Sequence, residues 1–189
     1  MLRKALILAA FAASPALAQD VVDGPGPNLV IEIAGVANGT VVIDMADHKA
    51  PKHVAQIVEL AKSGAYDGVV FHRVIDGFMA QTGDVSNGKA GGDLSMAGTG
   101  GSTLPDLPAE FSDLAFARGV VGMARAADPD SANSQFFIMF APGDFLNGQY
   151  TVVGKVISGM EIVDQIKRGA GQNGEVTEPD VMAKVAVVE

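Results

Sequence analysis

The sequence has no cysteine, and only three of its 189 residues are histidine. Without cysteine the chain forms no disulfide and no thiolate metal site, and it offers no thiol for lipid attachment after a secretion signal. His48 and His53 are five residues apart, a spacing that does not place two metal ligands on one face of a helix. We therefore expect no bound metal and no cofactor.

Basic residues are scarce, since 13 Lys and Arg stand against 22 Asp and Glu and give a formal net charge of −9 at pH 7. A nucleic-acid-binding surface requires the opposite balance, so no nucleic-acid partner is expected. A chain of 189 residues with 48% hydrophobic residues can fill one good core but is too short for two full domains. We expect one compact domain with a self-repelling acidic surface, present as a monomer.

No apolar run is long enough for a membrane-spanning helix, which needs about 20 residues. The first residues, Met-Leu-Arg-Lys, are followed by an apolar run from Ala5 to Ala13 and then by Ala16-Leu17-Ala18. This order of charged, apolar and small residues is typical of a cleaved secretory signal peptide. We predict that residues 1–18 are removed, that the mature chain begins at Gln19, and that the protein is exported to a bacterial periplasm without remaining attached to a membrane.

The rest of the chain has the pattern of a mainly β domain. Residues 19–28, rich in Gly and Pro, are predicted to be a flexible spacer before a domain that covers residues 29–189. Alternating apolar residues and the turn pair Asn38-Gly39 predict an opening hairpin. Short β-rich runs bring the predicted strands to eight, over residues 29–33, 41–45, 68–75, 78–84, 119–125, 134–140, 150–157 and 181–188.

Two helices are predicted between these strands. One begins at Pro51 and ends before Gly64, and the other runs from about Met160 to Arg168 and stops at Gly169. Eight strands with two helices fit a closed eight-stranded antiparallel β-barrel capped at its ends. A lipocalin-like barrel with an open interior is the alternative, but the many large apolar residues favour a filled one.

Residues 86–108 form a long glycine-rich connection, of a length that is often functional. Overlapping its start, Gly83 to Lys89 has the spacing of a phosphate-binding loop, but Ala90 stands where a magnesium-binding Ser or Thr is required. Gly91 and Gly92 would also start the following helix poorly. We reject a nucleotide site and leave open what this connection contacts.

Residues 71–84 set one Arg, Arg73, among mainly apolar residues. On a continuous strand Phe71, Arg73 and Ile75 would share one face. An Arg on a strand is more often a surface residue, but this setting suits a reaction that needs desolvation and one fixed positive donor.

Three segments of the chain resemble the cyclophilins, which are peptidyl-prolyl isomerases. The first holds Phe71-His72-Arg73 and Phe78-Met79-Ala80-Gln81, the second spans residues 119–141 around Gln135-Phe136-Phe137-Ile138, and the third spans residues 145–166. The resemblance covers roughly residues 29–188 in the order of the family. It implies the cyclophilin fold, prolyl isomerase activity and substrates that are proline-containing segments of unfolded or folding proteins.

The resemblance also implies roles for eleven residues. Arg73 would lie beside the substrate proline, oriented by Gln81. Taken one at a time, each apolar member is more often ordinary core. The catalytic residues implied are Arg73, Gln81 and Phe78, and the substrate-binding residues are Met79, Ala124, Arg125, Gln135, Phe137, Phe145, Leu146 and Tyr150. The alternative is a non-catalytic peptide-binding or holdase module on the same fold.

Two departures from the best-known eukaryotic pattern matter, and the first leads to a prediction. Where many members of the family have Trp this chain has Phe145, and where they have His it has Tyr150. Because Phe lacks the indole N–H donor, we expect weak binding of cyclosporin while the isomerase activity is retained. Nanomolar inhibition of the purified enzyme in an isomerisation assay would contradict this prediction.

Overall fold

The computed structural model describes residues 23–189, so the predicted signal peptide and the first part of the predicted spacer lie outside the described residues. Within 23–189 the chain forms nine strands, two α-helices and one 3-10 turn. Their bounds are β1 Asn28–Ala34, β2 Gly39–Met45, α1 Pro51–Lys62, β3 Val69–Val70, β4 Arg73–Ile75, β5 Met79–Thr82, β6 Val120–Met123, β7 Phe136–Met139, the 3-10 turn Asp144–Leu146, β8 Val152–Ser158, α2 Met160–Val163 and β9 Val181–Val188.

All strand pairs are antiparallel, and the strands lie in the order β3-β9-β1-β2-β8-β6-β7-β5-β4. The prediction of a closed eight-stranded barrel was wrong. The run predicted as one strand over residues 68–75 is two strands, β3 and β4, which lie at opposite edges of the sheet. Since only Phe71 and His72 separate them, the sheet curls on itself, but no ladder of hydrogen bonds joins β3 to β4.

The break between β3 and β4 also changes which side chains share a face. Phe71 is fully buried in the main core together with Val74, whereas Arg73 is half-buried and Ile75 contacts a second apolar cluster. The prediction that Phe71 shares a face with Arg73 was therefore wrong. The alternation of a strand holds only while the strand is continuous, and here it begins again at Arg73.

The opening hairpin and the first helix follow the predicted pattern. β1 and β2 pair as predicted, although Gly39 is already the first residue of β2, opposite Ile33, and the connection is residues 35–38. The apolar stripe of α1, including Val54 and Ile57, is buried in the main core. The second helix is shorter than predicted and ends at Val163. After Val163 the chain continues in tighter turns, in which Gln165 N donates to the Ile162 carbonyl and Ile166 N to the Val163 carbonyl, and the backbone N–H of Lys167 then donates to the Asp180 carboxylate at 2.6 Å.

Two apolar clusters lie on the two faces of β5 and β7. Phe136 and Ile138 point into the main core, while the alternate residues Phe137 and Met139 belong to the other cluster. We call this second group the site cluster; its buried members are Met79, Phe116, Val120, Phe137, Met139, Leu146 and Val152. Among the residues that the structure describes, no helix has the length and apolar character needed to cross a membrane.

Helix α1 begins without a capping side chain of its own, because its N-cap residue is Ala50. Glu110 supplies the missing acceptor from a distant loop. Its Oε2 accepts from the backbone N–H groups of Lys52 and His53, both at 3.1 Å, and from Nδ1 of the fully buried His53 at 2.7 Å. Burial alone would raise the pKa of Glu110, but these donors hold it below the ordinary value of 4.5.

We predict that Glu110→Gln lowers the free energy of unfolding by about 1–2 kcal/mol at pH 7, because the helix terminus loses a charged acceptor. A carboxyl whose pKa is depressed in the folded state stabilises it fully above the unfolded pKa, and this contribution disappears as the pH falls through the folded value. The difference between wild type and variant in the free energy of unfolding, measured by urea unfolding, should therefore disappear at acidic pH. Glu59→Gln, on the exposed face of the same helix, is the control and should change little; a gap that stays constant down to pH 2 would contradict the assignment.

Candidate active site

The register of four neighbouring strands places one polar pair beside an apolar floor. Arg73 on β4 lies opposite Gln81 on β5, Gln81 lies opposite Phe137 on β7, and Phe137 lies opposite Gly122 on β6. Residues that face each other across antiparallel strands project from the same face of a sheet. Arg73, Gln81 and Phe137 therefore form a single row, on the face that carries the site cluster.

The apolar floor depends on the absence of a side chain at Gly122. The rings of Phe116 and Phe137 stack with centroids 5.8 Å apart and planes at 20°, and Tyr150 meets Phe137 edge-on at 6.0 Å. A Cβ atom at Gly122 would lie 2.6 Å from each of the stacked rings. Glycine at this position thus allows two aromatic residues to fill the floor.

Above this floor lies a cavity of about 270 Å³. It brings together ten of the eleven residues singled out from the sequence, namely Arg73, Phe78, Met79, Gln81, Ala124, Arg125, Phe137, Phe145, Leu146 and Tyr150. The eleventh, Gln135, lines an adjacent cavity of about 260 Å³ that shares Gln81, Ala124 and Arg125 with the first. The structure thus places these residues together, while the role of each in the reaction stays a prediction.

The guanidinium of Arg73 is held by neutral acceptors. Its Nε donates to the backbone carbonyl of Asn173 at 3.0 Å, and its Nη1 donates to Oε1 of Gln81 at 3.1 Å. Among residues 23–189 it has no carboxylate partner, and its Nη2 group finds no acceptor there. The side chain is therefore fixed in orientation, keeps its positive charge and retains donors for a bound molecule.

Gln81 is itself held by a second amide. Its Nε2 donates to Oε1 of Gln135 at 2.9 Å, and Nε2 of Gln135 donates to the carbonyls of Gly98 at 3.0 Å and Gly100 at 2.8 Å. We call Gln135 and Gln81 the amide chain, since they connect the glycine-rich connection to Arg73.

The side chain of Arg125 forms the wall between the two cavities. Its guanidinium lies 4.4 Å from the centre of the Tyr150 ring and donates to the carbonyls of Gln149, at 3.0 Å, and Ala126, at 2.9 Å. Its backbone N–H and C=O form no hydrogen bond with the part of the chain described, residues 23–189. These groups fit the expectation that the Arg125 backbone pairs with an extended peptide.

Sequence analysis missed three groups around Arg73. The Asn173 carbonyl lies a hundred residues away in the chain, and no local pattern indicates it. His72 is buried beside the loop glycine Gly98, and burial lowers its pKa, so the imidazole is neutral at pH 7. Asp84 accepts from the backbone N–H groups of Ser86 and Asn87, inside the rejected phosphate-loop motif, and from those of Gly98 and Gly100.

Comparison with known proteins shows which family the chain resembles. The sequence profile of the family described as "Cyclophilin type peptidyl-prolyl cis-trans isomerase/CLD" matches residues 29–187. A "Probable peptidyl-prolyl cis-trans isomerase" of Brucella suis is 54% identical over 189 residues, covering 98% of this chain and 96% of the relative. "Peptidyl-prolyl cis-trans isomerase A" of Dickeya dadantii is 40% identical over 140 residues, covering 71% of this chain and 70% of the relative.

Solved structures give the same fold. The crystal structure of a cyclophilin from Hirschia baltica matches with a TM-score of 0.70 and 25% identity, over 87% of this chain and 74% of that one. A cyclophilin-type isomerase of Cryptosporidium parvum, crystallised in the presence of the dipeptide Ala-Pro, matches with a TM-score of 0.72 and 24% identity over 86% of this chain and 99% of that one, a likeness of fold alone. Because the family profile spans nearly the whole described domain and one relative is more than half identical along almost its full length, this chain belongs to the cyclophilin-type peptidyl-prolyl cis-trans isomerases, enzymes that act on proline-containing peptides.

Proposed function

We propose that this isomerase accelerates rotation about X-Pro bonds in exported proteins as they fold, and that Arg73 stabilises the twisted bond. Amide resonance makes the rotation cost ~18–20 kcal/mol. When the bond twists, resonance is lost, and the prolyl nitrogen becomes pyramidal and gains a lone pair. A donor aimed at that nitrogen therefore binds the twisted state better than either planar state, which is the condition for catalysis.

This proposal rests on the way in which the Arg73 guanidinium is hydrogen-bonded. Gln81 and Asn173 orient the guanidinium without neutralising it, and donors remain free on the side chain that borders the cavity. The apolar residues of the same cavity can take the proline ring and exclude water from around it. In that setting the remaining donors interact more strongly with a developing lone pair than they would in water.

The cavity also fits a reaction without proton transfer or covalent bonding. Its lining residues include no carboxylate, no imidazole and no aliphatic hydroxyl. Rotation about a C–N bond requires none of these groups. An acceleration of ~10⁵-fold would need about 7 kcal/mol of differential stabilisation, which the ring pocket and the fixed donor would supply together.

The proposed clients are unfolded or folding proteins outside the cytoplasm. This part of the proposal is supported by the N-terminal pattern of charged, apolar and small residues. A chain without cysteine is also indifferent to an oxidising compartment. We propose that the mature protein acts in the periplasm as a monomer, free of the membrane.

We predict that Arg73→Lys lowers kcat/KM about 100-fold, because Lys keeps the charge but loses the planar fork of donors. Exchange NMR on an Ala-Pro peptide measures the isomerisation rate. Titration of the same peptide measures its affinity, which should stay near that of wild type. Arg73→Ala should abolish turnover and still bind peptide. Arg118→Lys, at an ion pair with Asp164 outside the cavity, is the matched control; equal rates for wild type and Arg73→Lys would refute the proposed role of the guanidinium.

The proposed export to the periplasm leads to a separate prediction. Expressed in a Gram-negative host, the full chain should be recovered from the periplasmic fraction with Gln19 as its N-terminal residue. Leu8→Arg, which interrupts the apolar run of the leader, should leave the precursor uncleaved in the cytoplasm. N-terminal sequencing and intact mass of each fraction test both expectations, and an uncleaved wild-type chain beginning at Met1 would overturn the localisation.

A further inference from the structure

We propose that Asp84, which does not line the cavity with Arg73, is a positioning residue for the isomerase reaction. It acts through the loop segment Gly98–Gly100 and the amide chain, Gln135 and Gln81, to fix the guanidinium of Arg73. The inference rests on the proposed catalytic role of Arg73 and assigns a task to the glycine-rich connection between residues 86 and 108.

Asp84 is fully buried and has no cationic partner among residues 23–189, which is costly for a carboxylate unless hydrogen bonds satisfy it. Oδ1 accepts from Ser86 N at 3.2 Å, from Ser86 Oγ at 3.1 Å and from Asn87 N at 2.9 Å. Oδ2 accepts from Gly98 N at 2.8 Å and from Gly100 N at 2.9 Å. Burial alone would raise the pKa of Asp84, but these N–H donors lower it below 3.8, so the group is ionised at neutral pH.

The segment Gly98–Gly100 lies between this carboxylate and the amide chain. The N–H groups of both glycines point to Asp84, and the carbonyls of the same two glycines accept from Gln135. There is no room for side chains here. Gly98 has a φ of +94° and a Cβ on it would lie 2.9 Å from the His72 ring, while a Cβ on Gly100 would lie 2.7 Å from Asp84 Oδ1. The carbonyls are therefore held in one position.

These carbonyls determine the direction of every hydrogen bond up to Arg73. A carbonyl only accepts, so Gln135 must turn its NH₂ toward Gly98 and Gly100 and its Oε1 toward Gln81. Gln81 must then turn its NH₂ toward Gln135 and its Oε1 toward Arg73. If the Gln135 amide were reversed, its NH₂ would face the NH₂ of Gln81. If the Gln81 amide were reversed, two oxygens would face each other, and Arg73 would meet a donor instead of an acceptor.

The apolar floor is independent of this path. Phe116, Phe137 and Leu146 are held by packing within the site cluster, and none of them hydrogen-bonds to the Asp84 side chain. Loss of the hydrogen bonds to Asp84 should therefore misalign the guanidinium of Arg73 while the apolar pocket for the proline ring stays intact. The expected signature is a loss in kcat with little change in KM.

The test compares Asp84→Asn with Asp180→Asn. Asp180 is a second buried carboxylate, and it accepts hydrogen bonds from two backbone N–H groups, those of Ala37 at 2.9 Å and Lys167 at 2.6 Å. It has no hydrogen bond to the amide chain. Asn cannot accept at both side-chain atoms, so each variant should lose stability and show a lower Tm. Only Asp84→Asn should lower kcat, by about tenfold, in exchange NMR on an Ala-Pro peptide.

A double-mutant comparison separates positioning from general damage. In an Arg73→Lys background, Asp84→Asn should cause no further loss of rate, because the geometry that it supports is already absent. If Asp84→Asn does not fold, Gly100→Ala displaces the same carbonyls and should give the same kcat loss. An equal kcat loss from Asp84→Asn and Asp180→Asn, or an undiminished effect of Asp84→Asn in the Arg73→Lys background, would overturn the inference. Full activity of Arg73→Lys would instead overturn the proposed function itself.

Discussion

The antiparallel register of β4, β5 and β7 is the constraint on which the rest of the site depends. It sets Arg73, Gln81 and Phe137 in one row, so that a cation, an amide and an aromatic floor meet at one place. Because side chains alternate along a strand, a slip of one residue would turn Ala80 toward the cavity and Gln81 toward the main core. The large apolar groups buried on both faces of β7 make such a slip costly, and this burial fixes the register.

The site combines a rigid cation with neutral partners. A carboxylate beside Arg73 would hold the guanidinium equally well, but it would compete for the donors and cancel much of the charge. The carbonyl of Asn173 and the amide oxygen of Gln81 orient the side chain and leave its charge uncompensated. In the part of the chain described, the only buried anion connected to this network is Asp84, which is separated from Arg73 by the two amides and by the loop glycines Gly98 and Gly100. The groups that orient Arg73 are thus neutral, and the positive charge at the site is that of the guanidinium itself.

Much of the local structure could be predicted because its causes are local. The pairing of β1 with β2, the helix that begins at Pro51 and the opposite faces of Phe136 and Phe137 all follow from the apolar periodicity or the helix-start signals of short segments. The predictions that failed depended on distant partners. Residues 68–75 alternate well enough for one strand, but they pair with β9 on one side of Phe71 and with β5 on the other, and the barrel stays open there.

The sequence by itself determined the mainly β class with two helices, the family and the residues that gather around the cavity, because motifs and apolar alternation are properties of short segments. Only the tertiary structure decided which groups hold those residues. The carbonyl of Asn173, the cap that Glu110 provides for α1 and the loop glycines beneath Gln135 all meet their partners across 35 to 100 positions of the chain. Such contacts are selected by the packing of the whole sheet, and no short segment encodes them.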